Sequence, residues 1–357
     1  MRKRIIALTA VFIAAAAAYA CTGIALKAKD GSFVQGRTIE WGSGALVSEY
    51  AVVPRGHEIV ARTMDTECMR FTAKYGFVGL SVMQPEFMVE GMNEKGLSAG
   101  LFYFPGYGKY ADLDMGNKGR SVPDLQFVSW LLSSFSTVEE VKAHINDVIV
   151  VPMTKDNAAS TVHWRVADAS GAQIVIEIVN GGEVQVFDNP VGVLTNSPGF
   201  QWQLTNLNNY VNLYPGNAES WKMGDASLFS FGAGTGMLGL PGDVTPPSRF
   251  VRAAFLRATA PQLDNGKETV FQIFHLLNNF DVPVGVEHKA GECPDMPSAT
   301  QWTAVSDMTG RKLYYKTAYN NTIRCLDLGK IDFGKVEYQA YPLDKEQVQP
   351  VEEIVVK

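Results

Sequence analysis

Cysteine is scarce in this chain: four residues in 357, at Cys21, Cys68, Cys293 and Cys325, with no CxxC pair among them. That scatter excludes a zinc ribbon or a thioredoxin-like redox motif. The five histidines (His57, His144, His163, His275 and His288) show no HExxH or other ligand spacing, so no metal centre is expected. After the first four residues there is no block of lysine and arginine, and the net charge is −6. Nucleic acid and anionic membrane surfaces are therefore poor partners. Internal repeats, low-complexity tracts and Pro/Gly-rich linkers are also missing, which leaves residues 21–357 as one domain. The one sustained apolar run, residues 5–18, is too short for a comfortable membrane span.

What is present begins at that run. Met1-Arg2-Lys3-Arg4 is a basic start, the apolar stretch follows, and Ala18-Tyr19-Ala20 is an A-x-A cleavage pattern. Residues 1–20 thus read as a cleaved signal peptide of an exported protein, periplasmic or secreted. The mature chain would begin Cys21-Thr22-Gly23. A thiol and a free α-amine on one residue put a nucleophile beside its own base, the chemistry of an N-terminal-nucleophile hydrolase. A lipoprotein signal would also leave a cysteine first. Such signals usually carry a branched apolar residue where Ala18 stands and a small one where Tyr19 stands. Lipidation would turn the thiol into a thioether and the amine into an amide, so the two readings exclude each other. With Cys21 as nucleophile an odd three cysteines remain, and at least one of them stays free or buried.

Asp30-Gly31 lies between two β-like runs and predicts a hairpin. A two-residue turn would pair Lys29 with Ser32 and set Cys21 opposite Glu40. A three-residue loop with a bulge would instead bring Arg37 and Cys21 onto one face. Strands are predicted over 76–82 and 87–92, with a turn at Asn93-Glu94-Lys95-Gly96 and a return strand over 97–104. Helices are expected around 123–132 and from Ser136, where Ser136 and Glu139 fit a capping box. Three strands follow between 161 and 193, then helices over 248–256 and 268–277. Residues 301–315 return to strand with a turn at 307–310, and the tail past Leu343 reads as a surface extension. Strands and helices come in clusters and do not alternate, which favours stacked antiparallel sheets with helices outside over a doubly wound parallel sheet.

Cys21-Thr22 followed by Gly36-Arg37-Thr38-Ile39-Glu40-Trp41 resembles the N-terminus of the choloylglycine hydrolases, the family of bile salt hydrolases and penicillin V acylases. The likeness recurs in order along nearly all of the mature chain. Its stations are Gly91-Met92-Asn93-Glu94-Lys95-Gly96-Leu97, the run 188–198 around Asn196, the run 238–252 around Arg249, Thr300-Gln301-Trp302-Thr303 and Tyr314-Tyr315. Alone, an arginine after a strand is a surface ion-pair partner and Asn-Ser-Pro a turn; in this joint pattern they become site residues.

The resemblance implies an α+β fold, a four-layer αββα sandwich with two stacked antiparallel sheets, and a homotetramer. It also implies roles. Cys21 attacks an amide carbonyl, and its α-amine, with a reference pKa of about 7.7–8.0, serves as base. Arg37 and Arg249 lower the thiol's pKa. Asn196 and the backbone N–H of Tyr103 stabilise the oxyanion. No cofactor is implied. Glu40 stands where the family usually has Asp, an acid that helps hold the α-amine. Ile39, Trp41, Phe102 and Tyr103 are expected to form an apolar, aromatic substrate wall. The implied substrate is a glycine- or taurine-conjugated bile salt. Tyr103, commonly Asn in bile salt hydrolases and Tyr in penicillin V acylases, points to the second activity instead; N-acyl-homoserine-lactone acylase is a further alternative. Residues 206–221, long and aromatic, would be an assembly arm carrying Tyr210 and Tyr214.

Overall fold

The computed structural model describes residues 20–41, 46–154, 160–287 and 299–356. Cys293, His288 and residues 1–19 of the expected leader lie outside the described residues.

In chain order the first strands are β1 (Cys21–Lys27), β2 (Phe33–Trp41), β3 (Ser48–Val53) and β4 (Glu58–Arg62). Next come β5 (Glu67–Thr72), β6 (Phe77–Val82), β7 (Met88–Asn93) and β8 (Ser98–Tyr103). Strand β9 (Ser121–Pro123), helices α1 (Phe127–Ser134) and α2 (Val138–His144) and strand β10 (Ile149–Val151) follow. Then β11 (Val162–Ala167), β12 (Gln173–Val179), β13 (Glu183–Asp188) and β14 (Val193–Leu194) lead to α3 (Phe200–Asn206). A small hairpin, β15 (Trp221–Met223) and β16 (Ala226–Leu228), precedes α4 (Pro246–Thr259) and α5 (Gly266–Leu277). The last strands are β17 (Ala299–Asp307), β18 (Lys312–Thr317), β19 (Arg324–Asp327) and β20 (Gln339–Pro342).

Two antiparallel sheets carry the fold. One has six strands in the order β14-β1-β2-β17-β18-β19, and the other eight in the order β13-β12-β11-β8-β7-β6-β3-β20. Helices α4 and α5 pack on β1, β2 and β17 of the six-stranded sheet, while α1 packs on β7 and β8 of the other. The layering is therefore helix, sheet, sheet, helix: the expected α+β sandwich. Many strands are buried along their whole length, β6, β7, β11 and β17 among them, because each is covered on both faces.

The hairpin that opens the fold takes the second of the two registers. Ala28 N–H donates to the Ser32 carbonyl across a three-residue loop, the Ala28 carbonyl accepts from Gly31 N–H, and Gly31 has φ +90°. A left-handed residue closing a three-residue loop gives the bulged hairpin, and glycine carries no penalty there. Cys21 thus pairs with Ile39 and Gly23 with Arg37, so Cys21 and Arg37 share a face. Glu40 is opposite Ala20, not Cys21, and its N–H donates to the Ala20 carbonyl at 2.9 Å.

Two helix starts also differ from expectation. Pro123 ends a strand paired in parallel with β10, and α1 begins only at Phe127, after a single 3-10 turn. The cap of α2 is Thr137, whose hydroxyl accepts from Glu140 N–H, while the Glu140 carboxylate accepts from the Ser136 N–H. The box is displaced by one residue because Val138, not Thr137, is the first position that can be buried. Past Leu343 the chain has no regular structure and its side chains through Val356 are mostly exposed, as the sequence predicts.

Candidate active site

Cys21 sits at the first position of β1, buried at 4% exposure, where four separate segments converge on it. From β2, Arg37 donates through Nη2 to Cys21 Sγ at 2.8 Å. Its Nη1 donates to the carbonyls of Leu101 (2.6 Å) and Val89 (3.1 Å) in the facing sheet. The guanidinium carbon lies 4.3 Å above the Phe102 ring. Around this fully buried guanidinium, carbonyl oxygens, a sulfur and a π face stand in for the water it has lost.

From the loop after β14, Asn196 turns its amide towards the same residue. Its Oδ1 accepts from Cys21 N–H at 2.9 Å and from Arg249 Nη2 at 2.7 Å, and its Nδ2 donates to the Tyr103 carbonyl at 2.9 Å. From the first turns of α4, Arg249 donates through Nη1 to the Cys21 carbonyl and, at 2.8 Å, to Thr22 Oγ1. Arg249 therefore braces the backbone and Asn196, while Arg37 is the arginine that touches sulfur. The backbone N–H of Tyr103, at the end of β8, points at the thiol.

Burial pushes the Cys21 thiol up, against the pull of Arg37 and then Arg249, with Glu40 adding to the rise. The net direction is thus upward, not the lowering expected from two arginines, because desolvation of a buried thiolate outweighs them. Glu40 is also wholly buried. One carboxylate oxygen accepts from Thr300 Oγ1 at 2.8 Å, its direct partner in the β17–β2 pairing, just before the register shifts between Thr300 and Trp302. The other, Oε2, has no hydrogen-bond partner among the described residues. Burial pushes this carboxyl up to about 8, with Arg249 opposing.

A cavity of about 260 Å³ opens on Cys21 and Arg37. Ile39, Trp41 and Tyr103 line it as expected. Phe102 does not. Side chains alternate along β8, so Leu101 and Tyr103 reach the cavity while Phe102, fully buried, lies under Arg37. Much of the remaining wall is apolar and was not foreseen: Leu46, Met64, Val82, Phe87, Leu125 and Met153. Met64 and Met153 come from loops, and no periodicity marks a loop methionine as a wall residue. Among the described residues no cluster of three or more His, Cys, Asp or Glu could hold a metal ion.

The model of linear amide C–N hydrolases of the choloylglycine hydrolase family matches residues 21–341. A bile salt hydrolase/transferase of Clostridium perfringens is 36% identical over 329 residues, covering 91% of this chain and 97% of that protein. Among solved structures, a mutant of the conjugated bile acid hydrolase from C. perfringens superposes with a TM-score of 0.80 at 32% identity, covering 94% of this chain and all of the other. Penicillin V acylase from Agrobacterium tumefaciens gives 0.72 at 25% identity, covering 91% of each chain. This chain belongs to the choloylglycine hydrolase family and is a hydrolase of linear amide C–N bonds.

Proposed function

We propose that the chain is an exported bile salt hydrolase that cleaves glycine- or taurine-conjugated bile salts through Cys21. The observation that carries this reading is the cavity: a largely apolar pocket of about 260 Å³ that opens on Cys21, whose sulfur Arg37 holds.

With Ala20 in place the Cys21 nitrogen is a peptide amide and no base. Removal of residues 1–20 would free the α-amine, which takes the thiol proton as sulfur attacks the amide carbon. The C=O π pair moves to oxygen, and the Tyr103 N–H and Asn196 Nδ2 are the donors nearest to receive it. The α-ammonium then gives its proton to the leaving nitrogen as the C–N bond breaks, releasing glycine or taurine. Water, deprotonated by the same amine, attacks the thioester and regenerates the thiol. Glu40, the buried acid whose charge acts on Cys21, is the group proposed to hold the new ammonium once it is ionised. Replacing Cys21 by Ser or Ala should abolish turnover with the melting temperature retained; activity surviving in both would overturn the nucleophile assignment.

Penicillin V acylase activity is the second reading. It is favoured by the Tyr103 ring, which stands half-buried in the cavity wall where a phenoxy group could stack. A homotetramer is proposed on the exposed aromatic arm discussed below.

A further inference from the structure

The eight-stranded sheet carries a buried ion pair that none of the steps above uses. Glu90 on β7 and Arg165 on β11 are two strands apart, and each is paired with Gly100 of the intervening β8. Gly100 has no side chain, and a β-carbon there would collide with the Glu90 carboxylate. The two charged groups therefore meet across the glycine: Arg165 Nη2 is 3.1 and 3.2 Å from the Glu90 oxygens. Arg165 is 5% exposed and Glu90 1%. Arg165 Nη1 also crosses to the other sheet and donates to the Gly36 carbonyl at 2.8 Å, beside Arg37. Gly23 leaves the room for it, since a β-carbon there would meet that nitrogen at 2.7 Å.

On its other side Glu90 Oε2 lies 3.9 Å from Arg37 Nη1, and Arg37 Nη2 reaches Cys21 Sγ at 2.8 Å. Arg165, Glu90, Arg37 and Cys21 thus form one buried row, with the Phe102 ring beneath both guanidiniums at 4.3 and 5.3 Å. Two arginines and one carboxylate leave one positive charge unbalanced in a place without solvent, which is costly. A thiolate at Cys21 cancels it. The groups acting on Cys21 from elsewhere are Arg249 on α4, Glu40 on β2 and the α-amine once freed; Glu287, beyond α5, acts on Arg249. Arg249 has its acidic counterpart in Glu287, whose carboxyl is pushed up only to about 6, so above that pH it does not supply this excess.

We propose that Glu90 and Arg165 are positioning residues that hold Arg37 against the sulfur and set a charge balance in which the thiolate is the neutralising member. This rests on Cys21 as the nucleophile but can be tested without turnover. The measurement is the iodoacetamide alkylation rate of Cys21 against pH, read peptide by peptide by mass spectrometry, on protein beginning at Cys21. Arg165→Leu removes a positive charge and should raise the thiol's inflection by about one pH unit; Glu90→Gln removes a negative one and should lower it by a similar amount. Arg165→Lys, which keeps the charge, should stay near wild type. A merely structural pair loses the same contact in either variant, so shifts of one sign, or none, would overturn the proposal. If Arg165→Leu does not fold, Glu90→Gln and Arg165→Lys still decide it. Turnover retained in Cys21→Ala would sink the hydrolase mechanism and leave this test standing.

Discussion

Burial and charge act on Cys21 in opposite directions, and the geometry indicates how the site manages both. The sulfur is desolvated, yet one guanidinium and one backbone N–H face it. Asn196 is fixed by two donors on its oxygen, so its N–H₂ cannot flip away. Asn196→Ala should lower kcat by about 10²–10³-fold, the usual effect of losing one oxyanion donor; steady-state kinetics giving less than a tenfold loss would contradict the role. At this scale the sequence was legible where residues follow one another in motifs. Arg37, Asn196, Arg249 and Cys21 do come together as the family resemblance implied. Phe102 was misread because a strand sends neighbours to opposite faces, and Glu90 with Arg165 escaped notice. Their meeting depends on which strands pair, and no local pattern marks it.

Among the elements, the β1–β2 hairpin decides most. A slip of one residue would turn Arg37 away from the thiol, since side chains alternate with period two. Gly31 holds the register, and a β-carbon there would touch nothing within 4 Å, so the cost of substitution is purely backbone. Gly31→Ala should destabilise by about 1 kcal/mol in urea unfolding, the cost of a left-handed non-glycine residue. An unchanged midpoint would contradict the bulged turn. The Asp30-Gly31 signal identified the hairpin, but turn sequence alone allowed two loop lengths. The α2 cap failed by one residue for a similar reason: Ser136 and Thr137 both offer a hydroxyl, and burial of Val138 selects the second.

Across the whole molecule, the layered sandwich was readable because strands and helices cluster along the chain. Its buried acids outside the motifs were not. Asp124 is buried in the 3-10 turn that leads into α1, and its Oδ1 accepts from the N–H groups of Leu125 and Met153, both cavity residues. Burial pushes its carboxyl up to about 7. The native state therefore binds this proton more tightly than the unfolded chain, whose aspartate titrates near about 3.9. The resulting stability is fully present below that value and is lost as pH rises through about 7. Melting curves should show wild type losing ground to Asp124→Asn between pH 4 and 7; parallel profiles would contradict it. The arm after α3 exposes Val211, Trp221, Phe229 and Phe231, an apolar surface unusual for a free subunit. Sedimentation should give a tetramer that Phe231→Glu weakens, and a wild-type monomer would contradict the assembly.

The proposed activity is bile-salt hydrolysis by an N-terminal Cys21. Its most direct test is amino-acid release from glycocholate and taurocholate beside phenoxyacetate release from penicillin V, using protein whose first residue is verified as Cys21. The bile salts should be cleaved faster. Faster cleavage of penicillin V, or no cleavage of either, would contradict it.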